Sequence, residues 1–281
     1  MKVYYSEALV ANAQSFSPSA GKPRAVVDSW RRRFGAALAF REPQPVTQEE
    51  IALAHDRAYV DHVLALRHDN GFGNRLPEVA ASLPHTVGAM VEAARAALDE
   101  RVAVAPVSGF HHARHRRGGG YCTFNGLIVA AQVVRGERPT ARVGILDFDE
   151  HYGDGTANII AQLDLAWISH YSAAADWDEP AQAEDFLAAV PRLVQRFAGC
   201  DLLLYQAGAD PHVDDPLGGW LTTAQLRDRD RLVFTECVRL GLPIAWNLAG
   251  GYQQPLRKVL DIHDNTMLEC LAAFAPAEAQ A

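Results

Sequence analysis

The stretch VGILDFDEHYGDG at residues 143–155 changes character halfway along. Its first part, Val143–Phe148, is an almost unbroken apolar run, the form taken by a strand buried on both faces of a parallel sheet. Asp147, Asp149 and His151 then fall at alternate positions, and in extended chain alternate side chains point the same way. Charge at the end of a buried strand is costly unless it meets a partner, so this stretch already suggests a site at a sheet edge.

Working outward, the runs Val102–Val107, Leu165–Ser169, Leu202–Gln206 and Ile244–Leu248 have the same buried form, and Lys2–Tyr5 reads as a further strand, giving a sheet of six. Helical patterns lie between them. Val87, Met90, Val91, Ala94 and Leu98 share one helix face, and Thr223–Leu240 reads as a long helix. Thr47-Gln-Glu-Glu50 fits a capping box, and Asp56 fits the N-cap of a helix bearing Tyr59, Val60, Val63 and Leu64. The class is α/β: a single domain with a mostly parallel central sheet and helices on both faces. No repeat or Gly/Pro/Ser-rich linker divides the chain, so one domain is expected over 1–275, with the Ala-rich 276–281 as a frayed end.

With 49% hydrophobic and 21% charged residues in 281, the composition is that of a globular chain. A formal charge of -8 removes the positive field that would draw it to nucleic acid or anionic lipid. No run of about 18 apolar residues marks a membrane span, and the expectation is a cytoplasmic protein. Cys122, Cys200, Cys237 and Cys270 form no C-x-x-C pair, which suits reduced thiols and supplies no sulfur metal site. A homo-oligomer is compatible with all of this.

Open parallel sheets bind ligands beyond the carboxyl ends of their strands. Four strands end there in unusual residues: Ser-Gly-Phe-His111-His112 after the 102–107 run, Asp147 to Asp154 after the 143–148 run, Ala-Gly-Ala-Asp210 after the 202–206 run, and Ala-Gly250-Gly251-Tyr252 after the 244–248 run. Asp149, His151 and Asp210 make a three-ligand set, which leaves a position open on a catalytic divalent metal. Zinc is the first choice, and the carboxylates leave iron(II), cobalt and manganese open. His111 and His112 offer a base and an acid, with Asp147 and Asp154 available to fix their tautomers. Tyr252, after two glycines, could donate to an oxyanion. Taken singly, Asp-x-Asp or His-His is more often a solvated loop and Gly-Gly-Tyr a turn, so the weight rests on their joint occurrence at strand ends.

At this point the chain resembles the zinc-dependent histone deacetylase family, which includes acetylpolyamine amidohydrolases, on the arginase–deacetylase fold. The matching blocks are SGFHHA at 108–113, GGGYCTFNG at 118–126, ILDFDEHYGDGT at 145–156, YQAGADPHVDDPLGG at 205–219 and AGGY at 249–252. The resemblance implies Asp149, His151 and Asp210 as zinc ligands, His111 and His112 as the dyad, Asp147 and Asp154 as their partners, and Tyr252 as the transition-state tyrosine. It also implies a potassium ion held by Asp147, Asp149 and His151 with Ser169 and His170. Gly120 and Tyr121 match one wall of an acyl-lysine channel, with Trp177 as the opposite aromatic. Two departures stand out: the basic run Arg114-His115-Arg116-Arg117 after the dyad, which as a rim would repel a polycation, and Tyr152 in place of a histidine.

The expected activity is hydrolysis of an acetyl or other short acyl group from an acylated lysine or small acylated amine. The alternatives are an acetylpolyamine deacetylase, a binuclear manganese ureohydrolase on the same fold, and a non-catalytic acyl-lysine binding module.

Overall fold

In the computed structural model the described residues are 1–275; the 276–281 segment read as a frayed end lies outside them. Seven strands form one sheet: β1 (Lys2–Tyr4), β2 (Ala39–Arg41), β3 (Val102–Ala105), β4 (Val143–Asp147), β5 (Ile168–Ser172), β6 (Leu202–Gln206) and β7 (Ile244–Asn247). Their order is β2-β1-β3-β7-β6-β4-β5, with every pairing parallel. Parallel crossovers are right-handed, so an order that grows in both directions puts the connecting helices on both faces.

The helices among the described residues are α1 (Lys22–Phe34), α2 (Gln48–Ile51), α3 (Arg57–Leu64), α4 (Pro77–Glu100), α5 (Gly126–Glu137), α6 (Asp154–Gln162), α7 (Ala183–Gln195), α8 (Thr223–Leu240) and α9 (Arg257–Ala273). One group joins α4 to α5 and packs α4 on β1, β3 and β7; the other runs α7, α8, α9, α1. Local chemistry sets several boundaries as expected. The Thr47 hydroxyl and Glu50 carboxylate form the reciprocal capping box of α2. Asp56 caps α3 by accepting from the amides of Ala58 and Tyr59, and α8 covers the expected Thr223–Leu240.

Every residue of β3, β4, β6 and β7 is buried, which is why they read as apolar runs. Two differences concern the sheet edges. The three-residue β2 is an edge strand that the sequence reading did not include. β5 occupies 168–172 rather than 165–169, because an edge strand pairs on one side only and tolerates the polar Ser-His-Tyr-Ser segment.

Register converts this sheet into a scaffold. Asp147 lies opposite Gln206, Gln206 opposite Asn247, and Asn247 opposite Ala105, so the four central strands end level with one another. Asn247 Nδ2 ties the row together by donating to Gln206 Oε1 (2.8 Å) and to the Gly109 carbonyl (3.2 Å). The segments bearing the unusual residues therefore all leave from one line.

Candidate active site

Asp149 and His151 follow β4 and Asp210 follows β6, and one ligand atom from each lies within 4.8 Å of the others. His151 Nδ1 is 3.3 Å from Asp149 Oδ1 and 3.4 Å from Asp210 Oδ2. Backbone amides aim the carboxylates: Gly250 N donates to Asp149 Oδ2 at 2.8 Å, and His151 N to Asp149 Oδ1 at 3.0 Å. Asp210 Oδ2 is buried and has no hydrogen-bond donor. Glycine is required at 250, since a Cβ there would lie 1.9 Å from that oxygen.

The cluster carries excess negative charge. Burial and the neighbouring Asp149 push Asp210 up to about 7, and contacts with the Asp149 and Asp210 carboxylates hold the His151 imidazolium up to about 11. Two buried carboxylates, one of them with an unsatisfied oxygen, facing an imidazole nitrogen are a donor set that fits a divalent cation, which would replace the proton that otherwise balances the charge. One nitrogen and two hard oxygens suit zinc and leave the other divalent ions open.

The two histidines differ in their surroundings. His111 is buried, with Nδ1 2.8 Å from Asp147 Oδ2 and Nε2 3.5 Å from Asp149 Oδ1. Burial opposes its charge, but Asp149 and Asp147 outweigh that and hold it up to about 9. His112, ring centroid 4.1 Å from that of His111, has Nδ1 2.7 Å from Asp154 Oδ1. Burial and the adjacent His111 depress it below the usual histidine range against the pull of Asp154. One imidazole is thus held charged and the other neutral. Each Nδ1 has its carboxylate, as the pairing of Asp147 and Asp154 with the dyad anticipated.

Three basic residues complete the frame, and the sequence reading singled out none of these roles. Arg114 Nε donates to Asp154 Oδ2 at 3.0 Å, so the first arginine of the basic run fixes the dyad's carboxylate. Arg116 pairs with Asp56 at 3.4 Å. Arg114 is thus drawn to the dyad, while Arg116 and Arg117 remain exposed. Arg229, fully buried on α8, donates to the carbonyls of Phe148 (3.1 Å) and Gly208 (2.8 Å), just before the candidate ligands Asp149 and Asp210, and pairs with Asp230. Lys22, fully buried at the start of α1, donates to the carbonyls of Ala249 (2.8 Å) and Gly250 (3.0 Å). Burial lowers Lys22 to about 8 against the attraction of Asp210 and Asp149. The only available signal was a charge inside a helix, which ordinarily faces solvent.

Tyr252 is buried, and its main-chain N donates to Asp215 Oδ2 at 2.8 Å. Burial, then Asp210 and Asp149, drive its hydroxyl far above the usual tyrosine range, so it stays a proton donor. Tyr121 lies beside it at 5.7 Å between ring centroids. The Tyr121 backbone is left-handed, φ +63°, and its N is held by the Gly71 carbonyl at 3.0 Å. At Gly120, φ +53°, a Cβ would lie 2.4 Å from the His112 ring, so the Gly-Tyr pair presses directly on the dyad.

Two expected residues are not brought to this place. Trp177 packs its ring on Phe186 (5.6 Å) and donates Nε1 to Tyr171 Oη, which makes it a support beneath the loop after β5. Ser169 is three pairs behind the level of Asp147 and is turned toward Cys200. The shifted β5 brings Ser172 level with Asp147 instead, and Ser172 Oγ accepts from Gly153 N at 3.2 Å. His170 does approach: a Cβ on Gly153 would meet both Asp147 Oδ2 and His170 Nε2. Tyr152, in the departure noted above, is exposed and lies 6.4 Å from the His170 ring.

Fold and site together define an α/β protein with a candidate metal centre and histidine dyad at the carboxyl edge of a parallel sheet. Residues 19–172 match the histone deacetylase domain, and the chain belongs to that family. It is 28% identical over 246 residues to an uncharacterised protein of Picosynechococcus, covering 79% of this chain and 81% of that one. It is 30% identical over 175 residues to acetylpolyamine amidohydrolase 2 of Pseudomonas aeruginosa, covering 50% of this chain and 48% of that protein. Histone deacetylase 2 of Arabidopsis thaliana is 25% identical, with 62% of this chain and 50% of that one covered. The chain thus spans about half the length of these last two relatives. The crystal structure of the HDA15 HD domain superimposes with a TM-score of 0.79 at 21% identity, over 98% of this chain and 88% of that one, and shows the same fold. No helix among the described residues is long and apolar enough to cross a membrane.

Proposed function

We propose that this chain is a metal-dependent amidohydrolase that removes an acetyl or other short acyl group from an acylated amine. Family membership supports hydrolase activity of the deacetylase class. The observation that carries the reading is the meeting of Asp149, His151 and Asp210 within 4.8 Å beside two histidines whose Nδ1 atoms each face a carboxylate.

Zinc held by Asp149, His151 and Asp210 would polarise the scissile carbonyl and acidify water. His112, neutral and fixed through Nδ1 by Asp154, accepts the proton of the attacking water at Nε2. The same proton then passes to the leaving amine, so one water is consumed and a carboxylic acid and an amine are released. His111, fixed through Nδ1 by Asp147, is the second imidazole beside His112. The Tyr252 hydroxyl donates to the oxyanion as it develops. A potassium ion beside Asp147 is part of the proposal with an altered set: Asp147, Asp149, His151 and His170 are available, and Ser172 stands where Ser169 was expected.

The binuclear manganese reading is weakened because the three-residue group Asp149, His151 and Asp210 is the one such cluster among the described residues, whereas two ions need more carboxylates. The non-catalytic module is weakened because no ligand, histidine or tyrosine is missing. The names of the amidohydrolase relatives keep acetylpolyamines among the candidate substrates. Zinc-loaded protein tested for released acid against acylated lysine peptides, acetylpolyamines and small amides decides the class; no release from any of them would refute it.

A further inference from the structure

Arg114 opens the basic run at 114–117, and its Nε and Nη2 both donate to one oxygen of Asp154, Oδ2. The other oxygen, Oδ1, faces His112 Nδ1 at 2.7 Å. Arg114, Asp154 and His112 therefore form a chain of three, with one carboxylate shared between a guanidinium and an imidazole. Both side chains of the ion pair are about a third exposed, 37% for Arg114 and 32% for Asp154. A pair so open to solvent adds little to folding free energy, so stability gives no reason for its two-pronged geometry.

The backbones on either side are already fixed. Thr156 N donates to the His111 carbonyl at 2.9 Å, and a Cβ on Gly155 would lie 2.5 Å from the carbonyl oxygens of His111 and Ala113, so the start of α6 is docked on the dyad segment. His115 N donates to Asn158 Oδ1 at 3.1 Å and Asp56 N to the His115 carbonyl at 2.9 Å, which ties the basic loop between the cap of α3 and α6. What remains free is the Asp154 side chain. Asp154 is the first residue of α6, where the amides and dipole of a helix start attract a carboxylate. Unheld, it can turn toward its own helix and leave His112 Nδ1 without an acceptor. Two N–H groups on Oδ2 oppose that turn.

We propose that Arg114 is a positioning residue for the hydrolysis: by gripping Asp154 Oδ2 it holds Oδ1 on His112 Nδ1, which keeps the proton of the neutral ring on Nδ1 and leaves Nε2 free to take a proton from water. This rests on the proposed function, because the atom held ready is the one that moves that proton. Arg114 acts through the carboxylate rather than on the substrate.

Steady-state kinetics of zinc-loaded Arg114→Met on an acetyl-lysine peptide test this. The expected result is a fall in kcat of about tenfold, with KM within about twofold and the denaturant midpoint near that of the wild type. Arg114→Lys, whose ammonium can still donate to Oδ2, should regain most of the rate. Asp154→Asn lowers kcat by itself, and adding Arg114→Met to it should lower kcat no further, since both act through one contact. Unchanged kcat in Arg114→Met, or falls that multiply in the double variant, would overturn the proposal. Nitrogen NMR of the His112 ring in the zinc-loaded protein gives a readout that does not need turnover: one tautomer, protonated at Nδ1, in the wild type and a mixture in Arg114→Met. A single unchanged tautomer in that variant refutes the role of Arg114, whereas absent hydrolysis by the wild type refutes the proposed function alone.

Discussion

Asp210 supplies a buried oxygen that no hydrogen-bond donor meets, so among the proposed ligands it is the one whose loss should be felt most cleanly. Asp210→Ala leaves Asp149 and His151, too few for tight binding, and elemental analysis of the purified variant should find most of the zinc gone along with the activity. Full occupancy would remove Asp210 from the metal. Tyr252 probes a different moment of the reaction. Because its hydroxyl is kept protonated by burial and nearby carboxylates, Tyr252→Phe should lower kcat about a hundredfold while zinc content and peptide affinity stay near those of the wild type. Wild-type kcat in that variant would show that the oxyanion does not depend on this donor. Arg114 shows what single residues hide: in sequence it is one of a basic run, while in space it is bound to the carboxylate that orients His112.

Among the elements, the ligand-bearing strand ends were the most readable. β4, β6 and β7 are buried on both faces, so their composition announces them, and the polar residues that follow stand out against it. Edge elements were not readable in that way: β5 keeps Ser, His and Tyr because one side of it pairs with nothing, and the three-residue shift of its boundary moved Ser169 away and brought Ser172 in. The buried cations escaped for a related reason. Neither Lys22 nor Arg229 breaks a sequence pattern; their meaning lies in carbonyls contributed by the segments that follow β4, β6 and β7. Lys22→Met should leave the Ala249 carbonyl unpaired and Gly250 with only the Ala209 amide, at about 1–3 kcal/mol for the buried acceptor, seen as a lower denaturant midpoint. An unchanged midpoint would show that other donors replace the ammonium.

For the molecule as a whole, the sheet order was not legible, since adjacency of β7 to both β3 and β6 depends on crossovers that no local pattern encodes. What the sequence did convey is that four segments spread from His111 to Tyr252 end at one edge, and level register is what makes that convergence exact enough for chemistry. A cation held there, as proposed, would tie the segments after β4 and β6 together and stabilise the folded state by mass action. Saturating zinc at about a hundred times Kd is worth about 2.7 kcal/mol, so chelation should lower Tm by about 5 °C; an unmoved Tm would argue against any bound ion. The most direct test of the central claim is titration of metal-free protein with zinc while acetate release from an acetyl-lysine peptide is followed. Activity should rise linearly and break at one equivalent. A break at two equivalents, or no release at any zinc concentration, would contradict a single catalytic ion held by Asp149, His151 and Asp210.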